Sequence, residues 1–531
     1  MLFISYGFLI FLAVVLTLYY GLPKRFQWPL LLIASYVFYG ASGIGNLCYI
    51  LATTISTGLL ACSIQDLSDV QSRWLKEEGK GASREERKAY KHRIKKKRWR
   101  RLLLCLAIDI GMLAVVKYTG FAVCNLNGLL KALGSGRQLP FFEIALPMGI
   151  SFYVFQAVGY AIDVYRGKYR AQENLFQFAL FVSFFPQLIQ GPISRFDQLS
   201  VSLFAPHRFD TRTVSLGLQR VLWGFFKKLV VADRLIGAVG ILTKDAQTYQ
   251  GCWVLVGMLL YGVELYADFT GGIDITIGIA QAMGITVQEN FIRPYFSKSV
   301  KEYWNRWHIS MGSWFTDYIF YPVSVCKPML DLSSFSRKHL GERAGRRVPV
   351  YVSCLLVWAA TGIWHGAGWN FLVWGLSNCV VLLISQELEP LYRRFHKRFP
   401  VAGTFGWRLV GVARTFFILC CLRTFDCYRD VPLTFRMLGS VVTSWNWGEL
   451  FSPGRLLELG LTPADYGVVL LGILLMLGVS LWQRKGSVRG QIAKKTYGIR
   501  LAVWLLLFLM VLVWGSYGIG YEASQFIYNQ F

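Results

Sequence analysis

Apolar runs too long for a soluble core, separated by clusters of positive charge, most constrain what this chain can fold into. Apolar stretches fall near residues 3–20, 28–41, 46–64, 102–124, 145–163, 348–364, 369–386, 404–422, 464–482 and 501–518. A bilayer core takes about 20 apolar residues per helix, so runs of this kind read as membrane spans. The chain is 54% hydrophobic over 531 residues, with mean hydropathy +0.42. Only lipid can solvate that much apolar surface. The expected fold class is therefore an all-α polytopic membrane protein with about 10–14 membrane segments.

The net charge of +26 would suggest nucleic acid in a soluble protein. Here the charge is not spread over a surface but clusters between apolar runs. Between Arg73 and Arg101 there are fourteen Lys/Arg and four Glu. Lys24 and Arg25, Arg166 to Arg170, 337–347, Arg393 to Arg398 and Arg484 to Arg500 form further clusters. All six fall on one side of an alternating map, the pattern of cytoplasmic loops, which places both termini outside. Nucleic acid is not an expected partner; the lipid membrane is. The 66–101 stretch reads as a soluble, mostly helical basic loop, fixing orientation or lying on an anionic membrane face. The first run lacks a basic leader and a small-residue cleavage site, so it reads as a retained span.

Between 174 and 326 the pattern is broken. Apolar segments near 174–193, 214–243, 251–267 and 272–287 are interrupted at Pro186, at Gly191-Pro192 and at Gly271-Gly272. An even number of crossings keeps the map consistent, and some segments are expected to dip in and return, as broken helices do where they line a cavity. Residues 425–463 form the longest outer loop. Its Trp445, Trp447, Phe451 and Pro453 would suit an interfacial helix or a docking surface. Most of the eleven cysteines sit inside apolar runs with no C-x-x-C pair, which points to packing residues; no metal site is expected. No internal repeat supports an inverted-repeat transporter.

Two histidines stand apart from the other four, which lie in basic or loop-like stretches. His365 ends an apolar run within Gly362-Ile363-Trp364-His365-Gly366-Ala367-Gly368-Trp369-Asn370. A helix entering near Val348 carries it about 25 Å across the bilayer at 1.5 Å per residue. Burial there disfavours imidazolium, leaving a neutral ring able to take a proton from a hydroxyl. Gly362, Gly366 and Gly368 would let a helix or a substrate come close to the ring. The competing reading is a histidine that joins two helices. His308 lies in Tyr303-Trp304-Asn305-Arg306-Trp307-His308-Ile309-Ser310, and four residues apart on a helix Trp304 and His308 share a face. A cavity-lining helix and an interfacial belt helix fit that segment equally well. Glu264, Asp268 and Asp274 invite substrate contact or helix packing on equal terms, while Asp109 and Lys117 suit structural pairing. No Gly-x-Ser-x-Gly, Walker or His-Glu-x-x-His motif is present, which removes serine hydrolases, ATPases and zinc proteases.

Residues 289–322, including the His308 segment and Trp314-Phe315-Thr316-Asp317-Tyr318, resemble the signature of the membrane-bound O-acyltransferases. So does the stretch from Trp364 through Gly375. Within that family the chain looks most like the bacterial alginate O-acetyltransferase branch, through Phe185-Pro186, Gly191-Pro192-Ile193, Arg195-Phe196 and Tyr266-Ala267-Asp268-Phe269. The likeness covers most of residues 1–425: N-terminal spans 1–65, the loop 66–101 and a core 102–425, with an outer loop and C-terminal spans in 426–531. It implies an outer funnel meeting a cytoplasmic passage, with His365 at the junction and His308 as second functional histidine. Asn305 stands where the family usually has arginine, which puts a donor contact there in doubt.

The implied activity moves an acyl group, acetyl foremost, from a cytoplasmic thioester to a cell-envelope or secreted polysaccharide, directly or through an extracytoplasmic transferase or esterase-like partner. The implied location is a bacterial plasma membrane. The donor is acetyl-CoA or an acyl carrier protein, with no tightly bound cofactor. Asn305, Arg306, Trp304, Asp317, Trp364 and Asn370 are the candidate binding or orienting residues around the two rings. The related D-alanyl transferases of teichoic acid are the second reading. A transporter or flippase, or an export-complex scaffold, would also need polar residues in the bilayer, but would form no acyl ester.

Overall fold

A computed structural model describes residues 3–140 and 144–517. Those residues form helices, with one isolated antiparallel bridge between Phe291 and Trp307. Among the described residues eight helices are long and apolar enough to cross a membrane: Ile44–Lys76, Arg84–Ala132, Cys252–Ala282, Glu342–His365, Trp369–Glu387, Phe405–Tyr428, Pro463–Lys485 and Tyr497–Trp514. Two shorter apolar helices, Tyr6–Gly21 and Val431–Thr443, accompany them. The expected run 501–518 begins four residues late, and its last position lies outside the described residues, as do Met1 and Leu2 of the first run. The chain divides into two compact units, Met1–Ser215 with Ile279–Gln288, and Leu216–Gly278 with Glu289–Phe531.

In the first unit the basic stretch is not a separate loop. The Leu47–Lys76 and Arg84–Ala132 helices run straight through it, leaving only a turn near Glu78. Lys, Arg and Glu are strong helix formers, and a capping box starts the second helix. The Ser83 hydroxyl accepts from the Glu86 amide (3.2 Å), and the Glu86 carboxylate accepts from the Ser83 amide (2.7 Å). Asp109 has the structural role foreseen for it: it accepts from Ser56 (2.8 Å) and Thr57 (2.6 Å), tying the hairpin together. The chain does break where Pro186 sits, between Leu175–Ser183 and Phe185–Leu188.

In the second unit Gly271-Gly272 breaks nothing. Cys252–Ala282 is a single 31-residue helix. The glycines serve a close crossing: a Cβ on Gly224 would lie 2.5 Å from the Gly271 carbonyl oxygen, and one on Gly278 would lie 2.7 Å from that of Gly217. Beside this crossing Lys228 pairs with Asp268 (2.6 Å) and Asp233 (2.7 Å), while Lys227 pairs with Asp274 (2.6 Å). Asp268 and Asp274 are therefore committed to buried ion pairs. The stretch after 425 is also more ordered than an open loop, because it contains the Val431–Thr443 helix. Past that helix the Asn446 side chain accepts from the Cys252 amide (3.0 Å), and Glu449 accepts from the Trp253 indole (2.8 Å). Trp445 and Phe451 remain exposed.

Candidate active site

His308 does not lie on a helix with Trp304. Helix Val300–Trp304 stops, and His308 takes a left-handed conformation (φ 48°) as the residue before helix Ile309–Phe315. The interruption is held by backbone pairing: the Ile292 amide donates to Arg306 (3.0 Å) and the Ile309 amide to Asn290 (3.0 Å). Left-handed backbone is costly for a side-chain-bearing residue, so such a position is retained only where the surroundings impose it.

Asn290 then sets the ring. Its side-chain oxygen accepts from the Ser310 amide (3.0 Å) and hydroxyl (2.9 Å). With the oxygen so engaged, its NH2 faces His308 Nδ1 at 3.2 Å and donates to it. Nδ1 is thereby the acceptor, and the ring proton is assigned by this network to Nε2. The ring is fully buried, edge-on to Phe269 (5.0 Å) and to Trp364 (5.9 Å). Burial pushes its pKa down to about 3, so it stays neutral.

His365 is built differently. It is the last residue of helix Glu342–His365, which begins six residues before the expected Val348. The helix packs against Trp369–Glu387 through glycines: a Cβ on Gly362 would lie 2.4 Å from the Phe371 carbonyl oxygen, and one on Gly375 would lie 2.4 Å from that of Trp358. Gly362 thus admits the neighbouring helix rather than a substrate. The half-buried His365 ring meets Trp374 (4.7 Å) and Trp364 (5.1 Å). Trp364 therefore contacts both histidine rings. His365 faces a small cavity with Leu265, Trp304, Trp307, Phe371, Trp374, Arg423 and Asp426. The free volume, about 20 Å3, suits roughly one water molecule.

The ionisable pair in that cavity was not among the sequence-derived candidates. Arg423 lies over the Trp307 ring (4.4 Å) and donates to the Tyr303 hydroxyl (2.5 Å). Asp426 accepts from the Tyr261 hydroxyl (2.5 Å). The signal was there to read: Arg423 and Asp426 are charges inside the apolar helix Phe405–Tyr428, and intramembrane charges mark function by default. Setting the core boundary at 425 cut between them. Asn290 lies within the 289–322 segment but was not among the candidates either.

The remaining candidates separate. Trp304 joins His365 on the cavity wall. Arg306 pairs with Glu302 (2.6 Å) and is absent from that wall. Asn305 and Asp317 are exposed, and the polar group against His308 is Asn290. Asn370 is buried and donates to the Phe425 carbonyl (3.2 Å), joining two helices behind the cavity.

A helical bundle with eight apolar spans that holds a histidine, an arginine and an aspartate around one small cavity has the makings of a membrane-embedded enzyme. The family model of the membrane-bound O-acyltransferases matches residues 170–336, which include His308 and stop before His365. A probable alginate O-acetylase of Pseudomonas putida is 33% identical over 82% of this chain and 79% of its own length. The peptidoglycan O-acetyltransferase of Helicobacter pylori is 28% identical over 60% of this chain and 61% of its own. The teichoic acid D-alanyltransferase of Bacillus subtilis is 25% identical over 51% and 66%. The chain belongs to the membrane-bound O-acyltransferase family, in its alginate O-acetylase-like branch, and is a multi-pass membrane O-acyltransferase.

Proposed function

We propose that this chain takes an acetyl group from a cytoplasmic thioester and delivers it across a bacterial plasma membrane to hydroxyls of a cell-envelope or secreted polysaccharide. The observation that carries the reading is His365 on a water-sized cavity with Arg423 and Asp426. His365 takes the proton of the acceptor hydroxyl as its oxygen attacks the thioester carbonyl. The carbon–sulfur bond breaks, and the proton passes to the leaving thiolate. His308, neutral, fully buried and off that cavity, has a positioning part: through Trp364, which meets both rings, it holds the wall against which the thioester lies. Trp304, Trp307 and Trp374 exclude bulk water from the reacting ester. So small a cavity favours acetyl over long acyl chains, and the alginate O-acetylase relatives favour it over D-alanine, since they match more of this chain at higher identity.

The acceptor is reached directly or through an extracytoplasmic partner, and the donor is acetyl-CoA or an acyl carrier protein. Proteoliposomes holding the full chain, with radiolabelled acetyl-CoA on one side and polysaccharide on the other, test the reading. Alkali-labile acetyl ester on the polymer is expected from the wild type and none from His365→Ala. Passage of intact substrate without ester would favour the transporter reading, and ester formation by the His365 variant would sink the assignment of the base.

A further inference from the structure

A larger cavity in the second unit is used by nothing described so far. Its free volume is about 540 Å3, against about 20 Å3 at His365. Its two sides differ in chemistry. Leu475 and Val479 from helix Pro463–Trp482 face Val503 and Leu507 from helix Tyr497–Trp514. Tyr497–Trp514 is a candidate span with only 6% of its apolar window buried in protein, so this wall borders hydrocarbon.

The other end carries Arg220, Arg293 and Arg489. Arg220 is matched by Asp274 (2.7 Å) and Glu289 (2.6 Å). Arg293 is not: among the described residues no acid pairs with it. It is half-buried and held in a left-handed conformation (φ 46°) ahead of Pro294. Burial and then the charges of Arg306 and Arg484 push its pKa down. Arg489 donates to the Leu216 carbonyl and feels the charges of Asp274 and Glu289, so three arginines and two acids gather at this end, an excess of positive charge. A half-buried guanidinium among other guanidiniums is costly unless an anion joins it.

We propose that this cavity holds one anionic phospholipid, its phosphate against Arg293 and Arg489 and its acyl chains between the two C-terminal helices. Guanidinium suits phosphate because its planar N–H fork meets two oxygens at once. The aliphatic walls distinguish a lipid from the acyl donor, since a soluble acetyl thioester has no long chain to bury. The site also touches the reaction centre indirectly. Phe291 lines the lipid cavity and packs edge-on against Trp307 (4.9 Å), which lines the cavity of His365.

The test is native mass spectrometry of the full chain, delipidated in mild detergent and titrated with phosphatidylglycerol or phosphatidylcholine. One retained phosphatidylglycerol is expected, bound roughly tenfold more tightly than phosphatidylcholine, as two nearby arginines imply. Arg293→Gln with Arg489→Gln should bring the two lipids to equal affinity. Leu507→Trp, which fills the apolar end without changing charge, should weaken both. Equal binding of the two lipids by the wild type overturns the proposal, and so does retention unchanged in both variants. One-for-one displacement of phosphatidylglycerol by acetyl-CoA also overturns it, by assigning the arginines to the soluble donor. If the variants fail to fold, the wild-type selectivity and the acetyl-CoA competition decide the matter alone.

Discussion

His308 and His365 come from similar aromatic, glycine- or serine-flanked segments, yet the fold treats them oppositely. His308 is fully buried, pinned by Asn290 and locked into one backbone conformation. His365 ends a helix, stays half-buried and opens on a cavity with Arg423 and Asp426. A ring held that rigidly, with its pKa near 3, makes a good hydrogen-bond donor and a poor proton acceptor. His365, half-buried on the cavity wall, is the better placed of the two to act as base. Residue type alone assigns neither role; the surroundings do.

The sharpest way to break this contrast is to remove each ring. His365→Ala should lower acetyl transfer by about 10^3-fold with little change in thermal unfolding, because a general base supplies roughly that factor. His308→Ala should cost about 10^2-fold in rate and also lower the unfolding temperature, because it leaves Asn290 without its acceptor in a buried site. His308→Asn, which tolerates left-handed backbone, should recover most of the stability but not the rate. Equal rate losses from the two alanine variants, with equal stability, would erase the distinction drawn here.

A smaller effect should come from the scaffold under His365. Gly362→Ala puts a methyl group 2.4 Å from the Phe371 carbonyl oxygen, a backbone atom that cannot step aside. Overpacking of that kind costs about 1–3 kcal/mol, readable as a lower unfolding temperature. Acidity should separate the two rings further. The depressed pKa of His308 means the unfolded chain binds its proton first, so stability present above about pH 6.5 is lost as pH falls towards 3. Thermal unfolding of His308→Asn between pH 7 and pH 4 should show less of that loss than the wild type. Least of all, Asn305→Ala and Asp317→Asn should change activity by less than about threefold and stability by under about 0.5 kcal/mol, since both side chains are exposed. A tenfold fall in either would restore them to the site.

Much of the architecture was legible in the chain. Apolar runs located the long helices, since the hydrocarbon demands them wherever they occur in sequence. Pro186 marked a real interruption, because a missing amide and a fixed φ act locally. Gly271-Gly272 misled, because a glycine pair looks the same whether it breaks a helix or lets another one cross it closely. The basic stretch reads as mostly helical and is so; what charge hides is that the two long helices run on through it, the capping box of Ser83 and Glu86 starting the second. In the site, both histidines and Trp304 stood out by composition. Asn290 did not, since its role depends on a ring 18 residues away; Arg423 and Asp426 were visible as charges in an apolar helix, but the partners that place them lie far along the chain.

What the chain determined by itself is its solvent, its long helices and the two rings that stand out as candidates, because hydrophobicity and residue type are properties of single positions. What only the tertiary structure decided is which ring is fully buried against Asn290 and which lines the cavity, and which charges stand beside the second. Those follow from contacts between distant segments: Asn290 on His308, Tyr303 and Trp307 on Arg423, Tyr261 on Asp426. Proton affinity and hydrogen-bond direction are set by neighbours, and neighbours exist only after folding.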